Sequence, residues 1–176
     1  MPTSAESVIP TDDGVFLLRD VSADTMEAMG AAFDAARIPG RRGGRLFGAA
    51  GAVLLVRCAH QYSRPWIRVE VLDAPPADEP PWHWETRTTL ALPTGHIRID
   101  TGAYKTPADL VDIDTGAGPN TYKLALGHTG RTEMQDAAQR VDEQTLHASA
   151  DDTHAAWRAL DGIERYLIRL WPDPQA

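Results

Sequence analysis

Short runs in which apolar and polar positions alternate recur along most of the chain, and their two-residue period predicts strands. "GVFLLRD" (14–20), "AVLLVRC" (52–58) and "WIRVEVLD" (66–73) either alternate or cluster β-branched residues. "WHWETRTTLAL" (82–92), the turn Pro93-Thr94-Gly95 and "HIRID" (96–100) have the form of a hairpin, and "LVDID" (110–114), "TGAGPN" and "TYKLALG" (121–127) have the form of another. The last run, "GIERYLIRLWP" (162–172), places Tyr166, Ile168 and Leu170 on one face and Leu167, Arg169 and Trp171 on the other. A wholly apolar face predicts a core strand.

Helical spacing is rarer. Met26, Met29 and Phe33 repeat between Asp24, paired with Glu27 as an N-cap, and a stop at Pro39-Gly40. "DDTHAAWRALDG" predicts a short helix capped by Asp151 or Asp152, with Trp157 and Leu160 inward and Gly162 at its end. Between them, 133–150 is open: Met134, Ala137, Ala138 and Val141 repeat helically, but the surrounding acids equally suit a solvated loop. "APPADEPP" (74–81) reads as an exposed loop, because each proline lacks the ladder donor. Seven or eight short strands at this spacing predict an antiparallel β-sandwich with one or two peripheral helices, in a single domain over 1–176 with 1–10 as a flexible lead.

Composition narrows the classes. A chain of 176 residues buries roughly 70% of its unfolded surface, enough for a core without staples. Cys58 is the single cysteine, so no disulfide framework or cysteine zinc site forms, which fits a reducing compartment. "MPTSAESVIPTDDGVFLLRD" has acids where a secretory signal has bases, and no apolar run is long enough to span a bilayer, so the expected location is cytoplasmic. With 17 basic and 25 acidic residues the net charge is −8, which argues against direct nucleic-acid binding and for a basic protein partner. The acids cluster: Glu133, Asp136, Asp142, Glu143, Asp151 and Asp152 stand against Arg140 alone, and Asp73, Asp78, Glu79 and Glu85 have no basic residue among them. Such runs either solubilise a surface or steer a basic partner.

Candidate chemistry is sparse. Asp112 and Asp114 begin like a calcium loop, but Gly116, Ala117 and Lys123 occupy positions that need an oxygen, a glycine and a glutamate, so the stretch reads as a turn and no metal or other cofactor is expected. His83 and Glu85 share a strand face and have the residue types of an acid–base pair or two metal ligands, as would suit a hydrolase. A strand that alternates Trp82 and Trp84 with polar residues is equally what a half-buried sheet shows. Cys58 and His60 have the same spacing and the residue types of a thiolate pair, but Cys58 lies within an apolar strand and reads as a small buried residue. "GRRGGRLFGAAG" lacks the order of a phosphate loop and reads as a surface turn. His96, His128, His147 and His154 show no ligand spacing.

The fragments "LPTGHIRID", "DIDTGAGPNTYKLALGHTGR" and "ERYLIRLWP", in that order, resemble the small β-rich proteins related to competence protein J and their actinobacterial immunity-like relatives. The counterparts here are Gly118, Tyr122, Gly130, Arg131, Glu164, Tyr166, Leu167, Leu170, Trp171 and Pro172. The resemblance covers about the C-terminal half, and its motifs are structural; it implies that the final strand completes a sheet, with Arg169 facing a neighbouring strand or water and Trp171 covering an edge. It implies a non-catalytic, immunity or nuclease-inhibitor-like module that covers the active site of a basic partner such as a nuclease toxin. Trp82, Trp84, Glu85, Glu133, Asp136, Asp142 and Glu143 are the candidate contact residues. A hydrolase using His83 and Glu85, and a subunit of a larger defence or secretion assembly, are the alternatives.

Overall fold

The computed structural model describes residues 3–38, 44–77 and 81–175, of which 85–87 are described in backbone only. Pro39-Gly40, most of the adjoining Arg-Gly stretch, Asp78 and Glu79 lie outside the described residues. Along the chain run β1 (Thr3–Val8), β2 (Val15–Asp20), α1 (Met26–Ala35), β3 (Phe47–Ala50), β4 (Val53–Arg57), β5 (Trp66–Val71), β6 (His83–Leu92), β7 (His96–Asp100), β8 (Ile113–Asp114), β9 (Asn120–Thr129), α2 (Arg131–Thr145), α3 (Ala150–Arg158) and β10 (Arg165–Pro172). A 3₁₀ turn at Ala108–Leu110 precedes β8.

The strands form two five-stranded sheets, ordered β1-β5-β10-β9-β6 and β3-β4-β2-β7-β8. All pairs are antiparallel except β5 with β10, so the first sheet is mixed. The sandwich expected from the strand pattern is present, with three α-helices among the described residues where one or two were expected. Its core joins the inner faces of both sheets: Ile67, Val69, Leu90, Leu124, Ile168 and Leu170 from one, Leu18, Leu54, Val56, Ile97 and Ile99 from the other. Phe16 and Tyr166 meet edge to face across the gap, ring centres 5.3 Å apart.

Neither expected hairpin forms. β6 belongs to the first sheet and β7 to the second, so the Pro93–Gly95 turn carries the chain across the sandwich. Asp20 pins that turn, accepting hydrogen bonds from the Thr94 backbone (3.0 Å) and hydroxyl (2.8 Å). β8 pairs with β7, whereas β9 lies between β10 and β6. Alternation says that a strand has an inner face, and turn residues say that the chain reverses; neither distinguishes pairing from a change of sheet. Residues 3–8, expected within a flexible lead, form the edge strand β1 in full register with β5.

β10 departs from expectation in its setting. Tyr166, Ile168 and Leu170 enter the core as the alternation predicts, but Leu167, Arg169 and Trp171 are buried too. The strand is central, flanked by β5 and β9, so Trp171 covers no edge. Arg169 does pair with a neighbouring strand: it donates to Glu70 at 2.8 Å and stacks over Trp84 at 5.7 Å while only 8% exposed. Arg68 extends the outer-face ladder, 2.9 Å from Glu70 and 3.5 Å from Glu6.

On the far side of the second sheet, Ala32 and Ala36 pack with Leu17, Val53 and Leu55. The approach to β3 is so close that a Cβ on Gly48 would land on the Ala32 carbonyl and the Ala36 nitrogen. The cap of α1 is Thr25, whose hydroxyl accepts from Ala28 at 3.2 Å, and not the expected Asp24. Likewise Ser149 caps α3, leaving Asp151 and Asp152 in its first turn, where they favour the helix dipole.

Candidate partner-binding site

The ambiguous acidic segment resolves into α2. Met134, Ala137, Ala138 and Val141 are its buried stripe, as the helical repeat predicts, and Glu133, Asp136, Asp142 and Glu143 are all exposed. At 3.6 residues per turn, Asp136 and Glu143 share the outermost crest while Glu133 and Asp142 fall on opposite flanks. The four carboxylates therefore spread over the whole solvent side of the helix. Gln139 donates to Glu143 at 3.0 Å along the same crest. Gly130 opens α2 in a left-handed conformation, φ 74°, against the Ile163 carbonyl.

The tryptophans stand at the start of β6. Trp82 and Trp84 are half-buried and both press on Gly127, where a Cβ would come within 3.0 Å of Trp82 and 3.2 Å of the Trp84 ring. Trp82 stacks on Trp66, centres 6.3 Å apart, and Trp84 lies beneath the Arg169 guanidinium. Both rings thus serve first to cover the outer face of the first sheet. Glu85 occupies β6 at the bulge between Trp84 and Thr86; its side chain lies outside the described atoms. His83 is exposed and stacks on His128 across the β6–β9 pair at 5.6 Å.

Between the sheets' ends sits a polar cluster that sequence reading did not assemble. Glu164, 1% exposed, accepts from the Ala59 backbone (2.8 Å), the Ser63 hydroxyl (2.8 Å), the Tyr166 hydroxyl (2.6 Å) and Arg131 (2.8 Å). Arg131 also donates to the Arg57 carbonyl at 2.7 Å and to the Tyr166 hydroxyl. A buried carboxylate is tolerable only when paired and hydrogen-bonded, and this one is met from four directions. Arg131, Glu164 and Tyr166 were legible only as members of a recurring pattern; a lone glutamate entering an apolar closing strand was the available sign of a buried partner. Gly118 and Tyr122, from the same pattern, are joined by a 2.7 Å bond from the tyrosine hydroxyl to the glycine carbonyl.

Burial pushes the Cys58 thiol well up, and the neighbouring Glu164 charge adds to it. Burial likewise raises the Tyr166 phenol, so both groups stay protonated in this cluster. His60, the possible partner of Cys58, stacks on Trp157 at 4.9 Å and accepts the Tyr62 N–H at its Nδ1. The cluster is a fastener joining β4, α2 and β10, and a thiol held protonated is a poor nucleophile.

The architecture is that of a two-sheet β-sandwich whose closing strand is internal and whose α2 displays acids. Two solved structures are similar in fold over nearly their whole length. The protein described as crocagin biosynthetic gene J aligns with a TM-score of 0.58 at 17% identity, covering 98% of this chain and 99% of its own. ComJ of Bacillus subtilis, described as an inhibitor of the DNA-degrading activity of NucA, aligns with a TM-score of 0.54 at 12% identity over 98% and 99%. No family model matches the sequence, and no curated protein matches it at the level of sequence. The chain has the ComJ-like fold. No described helix is long and apolar enough to cross a membrane.

Proposed function

We propose that this protein is a non-catalytic binding module that inhibits a basic partner, most naturally a nuclease, in the cytoplasm. The observation that carries the reading is the solvent side of α2: four carboxylates on a rigid 15-residue helix, within a chain of net charge −8 whose fold is shared with a nuclease inhibitor. A nuclease surface is built to attract phosphate, and fixed carboxylates present the same sign of charge in a durable form. Fold alone does not assign the role, since a biosynthesis protein has the same architecture. The acids supply the electrostatic reason, and Trp82, Trp84 and Glu85 on β6 are proposed as a second contact region.

The test is functional. Extract of the producing organism is fractionated on a cation exchanger, and DNA degradation in each fraction is measured with and without added protein. At least one basic fraction should lose its activity at stoichiometric addition. Undiminished degradation in every fraction would refute the reading.

A further inference from the structure

A cleft of about 710 Å³ opens between residues 10–13, residues 61–64, Tyr104 and helix α3. That volume lies within the roughly 300–1,000 Å³ usual for ligand sites. Its walls are aromatic and accessible: Tyr62 is 56% and Tyr104 52% exposed, although large rings are ordinarily covered. Trp157 is held from two sides, stacked on His60 at 4.9 Å and met edge-on by Tyr62 at 5.0 Å. Asp12 and Asp13 complete the lining from the β1–β2 loop, both exposed, and neither carboxylate is engaged in an ion pair or hydrogen bond with another described residue.

The frame is pre-built. The Thr11 hydroxyl donates to the Ser63 carbonyl at 2.7 Å, the Ile9 N–H to the Pro65 carbonyl at 3.1 Å, and the Ser63 hydroxyl to Glu164 at 2.8 Å. These bonds sew the two loops together and to the buried fastener, so a ligand meets walls already in place. Of the basic residues on the lining, Arg64 is engaged by Asp161 at 3.4 Å, which leaves Arg158, in the last turn of α3, and the exposed His154 on the same helix against the two carboxylates.

Electron-rich ring faces beside unneutralised carboxylates define a site for a cation. We propose that this cleft seats a basic side chain of the protein partner, its charge between Asp12 and Asp13 and its stem along Tyr62 and Trp157. Arginine suits it better than lysine, because a planar guanidinium stacks on a ring while donating in its plane. The inference rests on the reading that the partner is basic, and it gives that partner a specific anchor distinct from the long-range pull of α2.

The experiment uses the whole protein and a blocked Gly-Arg-Gly tripeptide, followed by the indole N–H resonance of Trp157 in two-dimensional NMR. The resonance should shift saturably with the arginine peptide, less with Gly-Lys-Gly and not with Gly-Gln-Gly. The double variant Asp12→Asn with Asp13→Asn should weaken binding roughly fivefold or more, as should Tyr62→Leu, which keeps an apolar wall but removes the ring. Asparagine is suited to Asp13, whose φ of 49° lies in the left-handed region that Asn also tolerates, so the charge is removed without disturbing the loop. No saturable shift, or equal affinity in wild type and the double variant, would overturn the proposal. So would preferential binding of a Gly-Glu-Gly peptide abolished by Arg158→Gln, which would make the cleft an anion site. Peptide binding without inhibition of any nuclease would leave the cleft standing and remove the inhibitor reading; inhibition undiminished in the double variant, with no peptide binding, would do the reverse.

Discussion

Glu164 is buried among donors drawn from two distant parts of the chain, residues 59–63 and Arg131, and from nearby Tyr166, and its replacement isolates the fastener. Glu164→Ala should lower stability by about 3–5 kcal/mol in denaturant unfolding, because it takes the acceptor from the buried Ser63 hydroxyl and the Ala59 N–H and leaves the half-buried Arg131 guanidinium without its carboxylate. Glu164→Gln, which keeps an acceptor, should cost less, and a loss below about 1 kcal/mol for the alanine variant would show the pair to be incidental. A pH effect belongs to His96. Its hydrogen bond to Asp112 at 2.8 Å raises its pKa above the ordinary 6.5, with the nearby Asp112 and Asp114 charges adding to it. The stabilisation is therefore complete below about pH 6.5 and is lost as pH rises through the higher folded value. NMR titration should find the His96 pKa elevated in the wild type and lowered in Asp112→Asn, the two proteins converging in stability in alkaline solution; an identical titration in both would contradict it. At this scale the sequence disclosed the inward positions Tyr166, Ile168 and Leu170 but not what Glu164 or Arg169 does. Several of their partners, Ala59, Ser63 and Glu70, lie about a hundred residues away along the chain, where no local period reaches.

Strands and helices carry two further expectations. The methyl group of Gly48→Ala has no space between β3 and α1, so the helix must shift off the sheet, at a cost of about 1–3 kcal/mol. Hydrogen exchange should localise the loss to α1, β3 and β4; an unchanged melting midpoint would mean that the helix floats. Trp171→Ala on β10 should cost about 3–5 kcal/mol, since the ring is only 3% exposed on a central strand, and a surface-like change below about 0.5 kcal/mol would contradict that placement. Most strands could be located from alternation, and so could the buried stripe of α2. Pairing could not. The β6–β7 and β8–β9 segments have the turn chemistry of hairpins, yet each connection changes sheet, because the two inner faces need the same hydrophobic pattern whichever neighbour a strand takes. The caps were missed for a local reason: Thr25 stands beside Asp24, and Ser149 two residues before Asp151, acids with the same capping ability.

For the whole molecule, the sequence made the negative charge evident but not its arrangement. A net charge of −8 is read from composition, whereas the division of α2 into a buried stripe and an acidic crest depended on whether 133–150 was helix or loop. The aromatic cleft was illegible for the same reason as the fastener: Asp12, Tyr62, Tyr104 and Trp157 come from four separate segments. Steering acts through long-range potential, which a Debye length of about 8 Å screens at physiological ionic strength. Charge at the α2 crest should therefore govern how fast a basic partner arrives more than how slowly it leaves. The direct measurement takes the nuclease-containing fraction that the wild-type protein inhibits and follows the onset of inhibition, at low and at physiological salt, for wild type and for a variant carrying Glu133→Lys, Asp136→Lys, Asp142→Lys and Glu143→Lys. The wild type should act roughly tenfold or more faster at low salt than the variant, the difference shrinking as salt rises, while both unfold at nearly the same midpoint. Equal onset rates at both salt concentrations, with inhibition intact, would contradict the account and leave the acids of α2 with no part in recognition.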